Sequence, residues 1–132
     1  MIIYRVEDET YRGPWAGVNS IGYKILNNMY DGSYLESPDW TKHHPGPCED
    51  TKLANKLYKL QEKVKNYLFG FESLTQYSNW FYTTQSRQML YNSGYRLYMY
   101  DCVKEHCLLG NKQVMFKKEY AEKLNEVNLF LF

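Results

Sequence analysis

The chain has 132 residues, 44% of them apolar and 23% charged, with a net charge of +1. That allows a single folded domain over residues 1–132, excludes a disordered tail and argues against bulk polyanion binding. Apolar runs reach only a few residues, so no transmembrane helix is expected, and MIIYRVEDET turns acidic too early for a signal peptide.

Tyrosine is the outlier, with 14 copies beside 6 Phe and 3 Trp. Such rings build cores and also line flat binding surfaces. Cys48, Cys102 and Cys107 make an odd count without a CxxC motif, the pattern of reduced thiols in a cytoplasmic protein. A Cys102–Cys107 disulfide requires a tight turn between them. Residues 1–50 carry a net charge of −4 and residues 51–132 one of +5, so the halves can attract each other or flank a polar cleft.

Residues 2–6, IIYRV, read as a first strand with Ile3 and Arg5 on one side and Ile2, Tyr4 and Val6 on the other. A buried arginine costs several kcal/mol unless paired, so Arg5 needs a partner, in the simplest case a structural ion pair. Gly13-Pro14 breaks the chain, residues 15–30 hold a weak helix and Asp31-Gly32-Ser33 is a turn. Residues 36–50 contain three prolines and read as a loop.

Leu53, Leu57, Leu60 and Val64 share one face of a helix over 51–67, capped by Asp50 or Thr51, with a lysine stripe of Lys52, Lys56, Lys59 and Lys63 beside it. Residues 68–72 form a short strand. Ser73 and Gln76 make a capping box for a helix burying Leu74, Tyr77, Trp80 and Phe81. A helix over 84–92 stops at Gly94. Strands follow at 95–103 and 112–116, then a helix at 118–127 with Tyr120, Ala121 and Leu124 inward. The apolar NLFLF end should dock on the body or on a partner, including a second copy. The order predicts an α+β domain with a mainly antiparallel sheet of about four or five strands and three or four helices.

The loop from His43 to Asp50 gathers His43, His44, Cys48, Glu49 and Asp50. Its spacing matches no zinc pattern, even with Cys102, His106 and Cys107 as a second cluster, so no metal is assigned. A rigid proline-locked loop with Asp50 as a helix cap accounts for it. A Cys48–His44 nucleophilic pair has sequence proximity alone behind it. Tyr98 and Tyr100 share a strand face and can pack in a core or stack on a base, but no RNP-like pattern surrounds them, and nucleic acid is not an expected partner.

Two resemblances follow. Tyr4-Arg5-Val6-Glu7 with Gly13-Pro14, His44-Pro45-x-Pro47-x-x-Asp50, Phe69-Gly70-Phe71-x-Ser73-Leu74 with Trp80-Phe81, a strand ending near Tyr100, and Gln113-x-x-Phe116 together resemble small uncharacterised proteins of bacteriophages and prophages. That resemblance covers roughly residues 1–117 and implies a viral origin but no known activity; the expected location is the cytoplasm of the host cell. The order of the pieces is also similar to the ADP-ribosyltransferase family with an Arg, Ser-Thr-Ser, Glu arrangement. This second resemblance implies NAD or an ADP-ribose-like nucleotide as ligand, Arg5 as anion anchor, Ser73 as cleft serine, Gln113 at the late-strand position and Tyr77 or Trp80 beside the nicotinamide. Ser73 stands in Phe-Glu-Ser-Leu and Gln113 replaces a glutamate, and an amide cannot stabilise a developing cation by charge.

The residues expected to bind a ligand are therefore Tyr4, Arg5, His44, Asp50, Ser73, Tyr98 and Gln113. The expected function is stoichiometric binding of a host macromolecule or nucleotide signal, in host takeover or anti-defence. An NAD-directed enzyme and an oligomeric virion or assembly component are the alternatives.

Overall fold

The β-branched and aromatic opening forms strand β1, Ile2–Glu7. The computed structural model describes residues 1–16, 20–29, 44–46, 49–61 and 63–131. The turn expected at 31–33, most of the 36–50 loop, His43 and Cys48 lie outside them. Helices α1 (Ile21–Met29) and α2 (Thr51–Leu60) precede β2 (Leu68–Gly70), and α3 (Leu74–Trp80) and α4 (Thr84–Asn92) precede β3 (Arg96–Cys102). Strands β4 (Cys107–Leu109), β5 (Val114–Phe116) and β6 (Ala121–Val127) complete the order. This is the α+β fold expected, with the strands divided between two antiparallel three-stranded sheets, β1-β3-β6 and β2-β5-β4.

Sheet register decides what each face meets. Ile3 lies opposite Tyr100 and Arg5 opposite Tyr98, so these four residues share a face. There Ile3, Tyr100 and Cys102 pack on Val114 and Phe116 of the second sheet. On the other face Val6 and Leu97 meet Ile25, Phe71, Tyr77, Trp80, Phe81 and Leu90, which joins the helices to the sheet. A third cluster holds Leu53 and Leu57 of α2 against Leu108 and Met115. A backbone bridge also joins the first sheet to the end of β2, with Tyr4 N–H to Phe71 O at 2.8 Å and Phe71 N–H to Tyr4 O at 2.7 Å. Gly70 makes this approach feasible, since a Cβ there would fall 2.6 Å from Ile3 Cγ2 and 2.7 Å from Tyr4 O.

Several expectations change. The final helix is instead a 3-10 turn at Lys118–Tyr120 followed by strand β6, with Tyr120 and Leu124 exposed. The backbone of β3 has β1 on one side only and needs a second ladder, and that demand outweighs the modest helix propensity of AEKLNEV. Glu122, Lys123 and Glu126, with a register shift at Leu124, mark β6 as a guarded edge strand. The helix expected over 51–67 stops at Leu60, where Gln61 takes a left-handed φ of 52°. Lys63 therefore leaves the lysine stripe, Val64 falls in a 3-10 turn, and Leu60 is exposed. Of the described residues in the 15–30 stretch, Ile21–Met29 are helical and Trp15 and Ala16 are not. Strand β4 follows a 3-10 turn at Lys104–His106. The tail docks on the body, with Leu129 buried and its carbonyl accepting from the Tyr77 hydroxyl at 2.6 Å.

Candidate functional site

Period-two alternation places Arg5 and Glu7 on the same side of β1. Glu7 is fully buried, and its carboxylate lies 3.4 Å from Arg5 Nε and 3.4 Å from Lys123 Nζ. The Tyr100 hydroxyl donates to it as well. Two cations on one carboxylate leave this group with a net positive charge. Burial pulls the Arg5 guanidinium below its ordinary pKa, while Glu7 and Tyr100 oppose that effect. The same guanidinium donates from Nη1 to Phe69 O at 2.8 Å and from Nη2 to Tyr11 O at 3.0 Å. Of its five N–H groups, one on each Nη is then uncommitted in these bonds.

Arg5 forms part of the wall of a cavity of about 430 Å³ at the seam between the sheets. Pro14, Trp15 and Ala16 close one side, Tyr67 to Phe71 another, and Trp80 with Phe81 a third. Trp15 meets Trp80 edge-on at 5.1 Å, and His44 meets Trp80 edge-on at 5.0 Å. Gln113, just ahead of β5, also lines the cavity and donates from Nε2 to Pro45 O at 2.6 Å. That bond fixes the segment carrying His44. The result is an aromatic chamber with a guanidinium, an imidazole, a carboxamide and the Glu49 carboxylate on its walls.

Of the seven residues expected to bind, Arg5, His44 and Gln113 line this cavity. The others are placed elsewhere. Ser73 caps α3, its hydroxyl accepting from Gln76 N–H at 3.1 Å. Asp50 is buried as a clamp. It caps α2 through Leu53 N–H at 3.3 Å and accepts from Asn111 N–H at 3.0 Å and Lys112 N–H at 3.3 Å. A Cβ at Gly110 would sit 2.6 Å from this carboxylate, so the β4–β5 turn needs glycine there. Tyr4 contributes its backbone to the bridge between sheets, and its half-buried ring packs at the edge of the helix core. Tyr98 lies across the strand pair from Arg5 and carries Lys123 Nζ 3.5 Å from its ring centroid. Trp80 lines the cavity, whereas Tyr77 is buried in the core.

Sequence reasoning missed Glu7 as the partner of Arg5, Lys123 as the second cation on Glu7, and Trp15 as a wall. Glu7 was accessible through its two-residue spacing from Arg5. Lys123 was hidden by the helix expected for its segment. Among the described residues no group of three His, Cys, Asp or Glu could hold a metal ion. No helix among them is long and apolar enough to cross a membrane.

A family model described as Bacteriophage T4 Y00F protein matches residues 1–130. The chain belongs to this phage family. A relative in Enterobacteria phage T4, described as an uncharacterized 19.7 kDa protein in the motB-dexA intergenic region, is 38% identical over 116 residues. The match covers 74% of this chain and 69% of the relative. No solved structure matches. The phage resemblance in the sequence is thus borne out, whereas the family match lends no support to the ADP-ribosyltransferase resemblance.

Proposed function

We propose that this phage protein acts in the host cell by stoichiometric, non-covalent binding, and that its cavity takes a nucleotide-type ligand. The observation that carries this reading is the joint placement of Arg5, His44 and Gln113 on one aromatic-walled cavity. About 430 Å³ lies within the usual range for small-molecule sites, roughly 300–1,000 Å³. Trp15, Phe71 and Trp80 supply faces and edges against which a flat heterocycle packs. The N–H groups of Arg5 left over from Phe69 O, Tyr11 O and Glu7 are directional, charge-assisted donors for an anionic substituent, set away from the Glu49 carboxylate by their own position on β1. A binding role needs no glutamate at position 113, where the amide can read a hydrogen-bonding edge.

A thermal-shift panel tests this with mononucleotides, cyclic dinucleotides, NAD and ADP-ribose. A true ligand at a hundredfold excess over its Kd adds about 2.7 kcal/mol, so the midpoint should rise by roughly 8 °C or more. Nucleotide recovered unchanged after incubation supports binding without turnover. A flat panel contradicts the nucleotide reading, and released nicotinamide contradicts the absence of chemistry.

A further inference from the structure

Away from the cavity, the Lys104–His106 turn brings the end of β3 back onto the start of β4. Both thiols at this corner point at one carbonyl oxygen. Cys102 Sγ lies 3.6 Å from Val103 O, and Cys107 Sγ lies 3.5 Å from the same atom. Cys102 is buried and Cys107 half-buried. Cys102 belongs to the central strand of the first sheet, and Cys107 to an edge strand of the second.

We propose that Cys102 and Cys107 are a built-in dithiol that a two-electron oxidant of the peroxide class closes into a disulfide, joining the two sheets covalently. The more accessible Cys107 reacts first. Its thiolate attacks one peroxide oxygen, the O–O bond breaks, hydroxide leaves and a sulfenic acid forms. The Cys102 sulfur then attacks the Cys107 sulfur, the S–O bond breaks and water departs with the Cys102 proton. Overall, two thiols and one hydrogen peroxide give one disulfide and two waters. Each sulfur loses one electron, and the two peroxide oxygens gain them.

The setting governs the rate. Burial, reinforced by the neighbouring Cys102 thiol, pushes the Cys107 thiol up to about 12. The thiolate is the reacting form, so closure is slow at neutral pH and accelerates by about tenfold per pH unit between pH 7 and 9. The pair thus stays reduced until oxidant persists.

The test uses the full chain carrying Cys48→Ser, which removes the third cysteine. The protein is treated with hydrogen peroxide, unfolded, alkylated with N-ethylmaleimide and weighed. The expected result is a monomer lighter by two hydrogens with no alkylated cysteine, and dithiothreitol restores both sites. Trypsin cleaves after Lys104, between the two cysteines, so the flanking peptides should stay joined until reduction. Two fully alkylated cysteines after oxidation would overturn the proposal. So would separate sulfinic acids, or cross-linked dimers in place of an internal link. Cys107→Ser should leave Cys102 open to alkylation after the same treatment, and protection of Cys102 in that variant counts against the pairing.

Discussion

Arg5 and Gln113 line the same cavity from different sheets, Arg5 on β1 of the first and Gln113 at the entry to β5 of the second. The cavity therefore exists because the sheets meet along a seam, and the seam is held by the Tyr4–Phe71 bridge across Gly70.

Gly70→Ala should strain that seam. Its Cβ would fall against backbone, which cannot move aside as a flexible side chain does. Overpacking of this kind costs roughly 1–3 kcal/mol. Urea denaturation should show the loss, and ligand affinity should fall with it. Unchanged stability would mean that the sheets are not held this closely.

Asp50→Ala removes a helix cap and the acceptor for Asn111 and Lys112 N–H groups in one step. A cap alone is worth about 1 kcal/mol, and buried donors left without partners add about 1–3 kcal/mol. We expect a loss of roughly 2–4 kcal/mol by chemical denaturation, with weak recovery in Asp50→Asn. A cost below about 1 kcal/mol would show that the clamp does not form.

Arg5→Met should destabilise the fold by roughly 2–4 kcal/mol, since Phe69 O and Tyr11 O lose their donor while Lys123 and Tyr100 still serve Glu7. Arg5→Lys keeps the charge but lacks the fork needed to reach both carbonyls. It should recover under half of that loss. Full recovery by lysine would show that charge alone matters.

Alkaline pH should unfold the protein cooperatively. Burial raises the pKa of both Tyr77 and Tyr100, and hydrogen bonding to the negatively charged Glu7 raises Tyr100 further. A folded-state pKa above the unfolded value of about 10 gives a contribution intact below pH 10 and lost as pH climbs beyond it. Tyrosinate absorbance should rise for the exposed rings while the circular dichroism is still native, with Tyr77 and Tyr100 among the rings that ionise only as the fold melts. Tyr100→Phe should remove one of those late rings. Complete ionisation in a still-native protein would contradict the buried hydroxyls.

Much of this fold was legible because strong local signals agreed with tertiary demand. Ser73 caps its helix as expected, the helix over 84–92 has its expected bounds, and Leu53 and Leu57 fall on the buried stripe expected of them. β6 was not legible, because Tyr120, Ala121 and Leu124 imitate a helical stripe while the segment's role is to complete the ladder of β3. The candidate site was half legible. Arg5 on an inward strand position demanded a partner, and Gln113 and His44 were named with it. Asp50 and Ser73 have chemistry suited to ligands and equally suited to caps, and sequence alone cannot separate those uses. Which groups share a cavity depends on how two sheets meet, and strand periodicity carries no information about that.

The most direct measurement is calorimetric titration of the best nucleotide from the panel into the native protein and into Gly13→Leu. Gly13 lines the cavity, and a Cβ there would stand 3.6 Å from both Arg5 Nη atoms, an ordinary contact, so leucine is the choice for taking up space beside Arg5. We expect one-to-one binding to the native chain and at least about a tenfold weaker Kd in Gly13→Leu, which corresponds to about 1.4 kcal/mol, with unliganded melting unchanged. Equal affinity in the two proteins, or no heat from any nucleotide, would contradict a nucleotide-binding cavity.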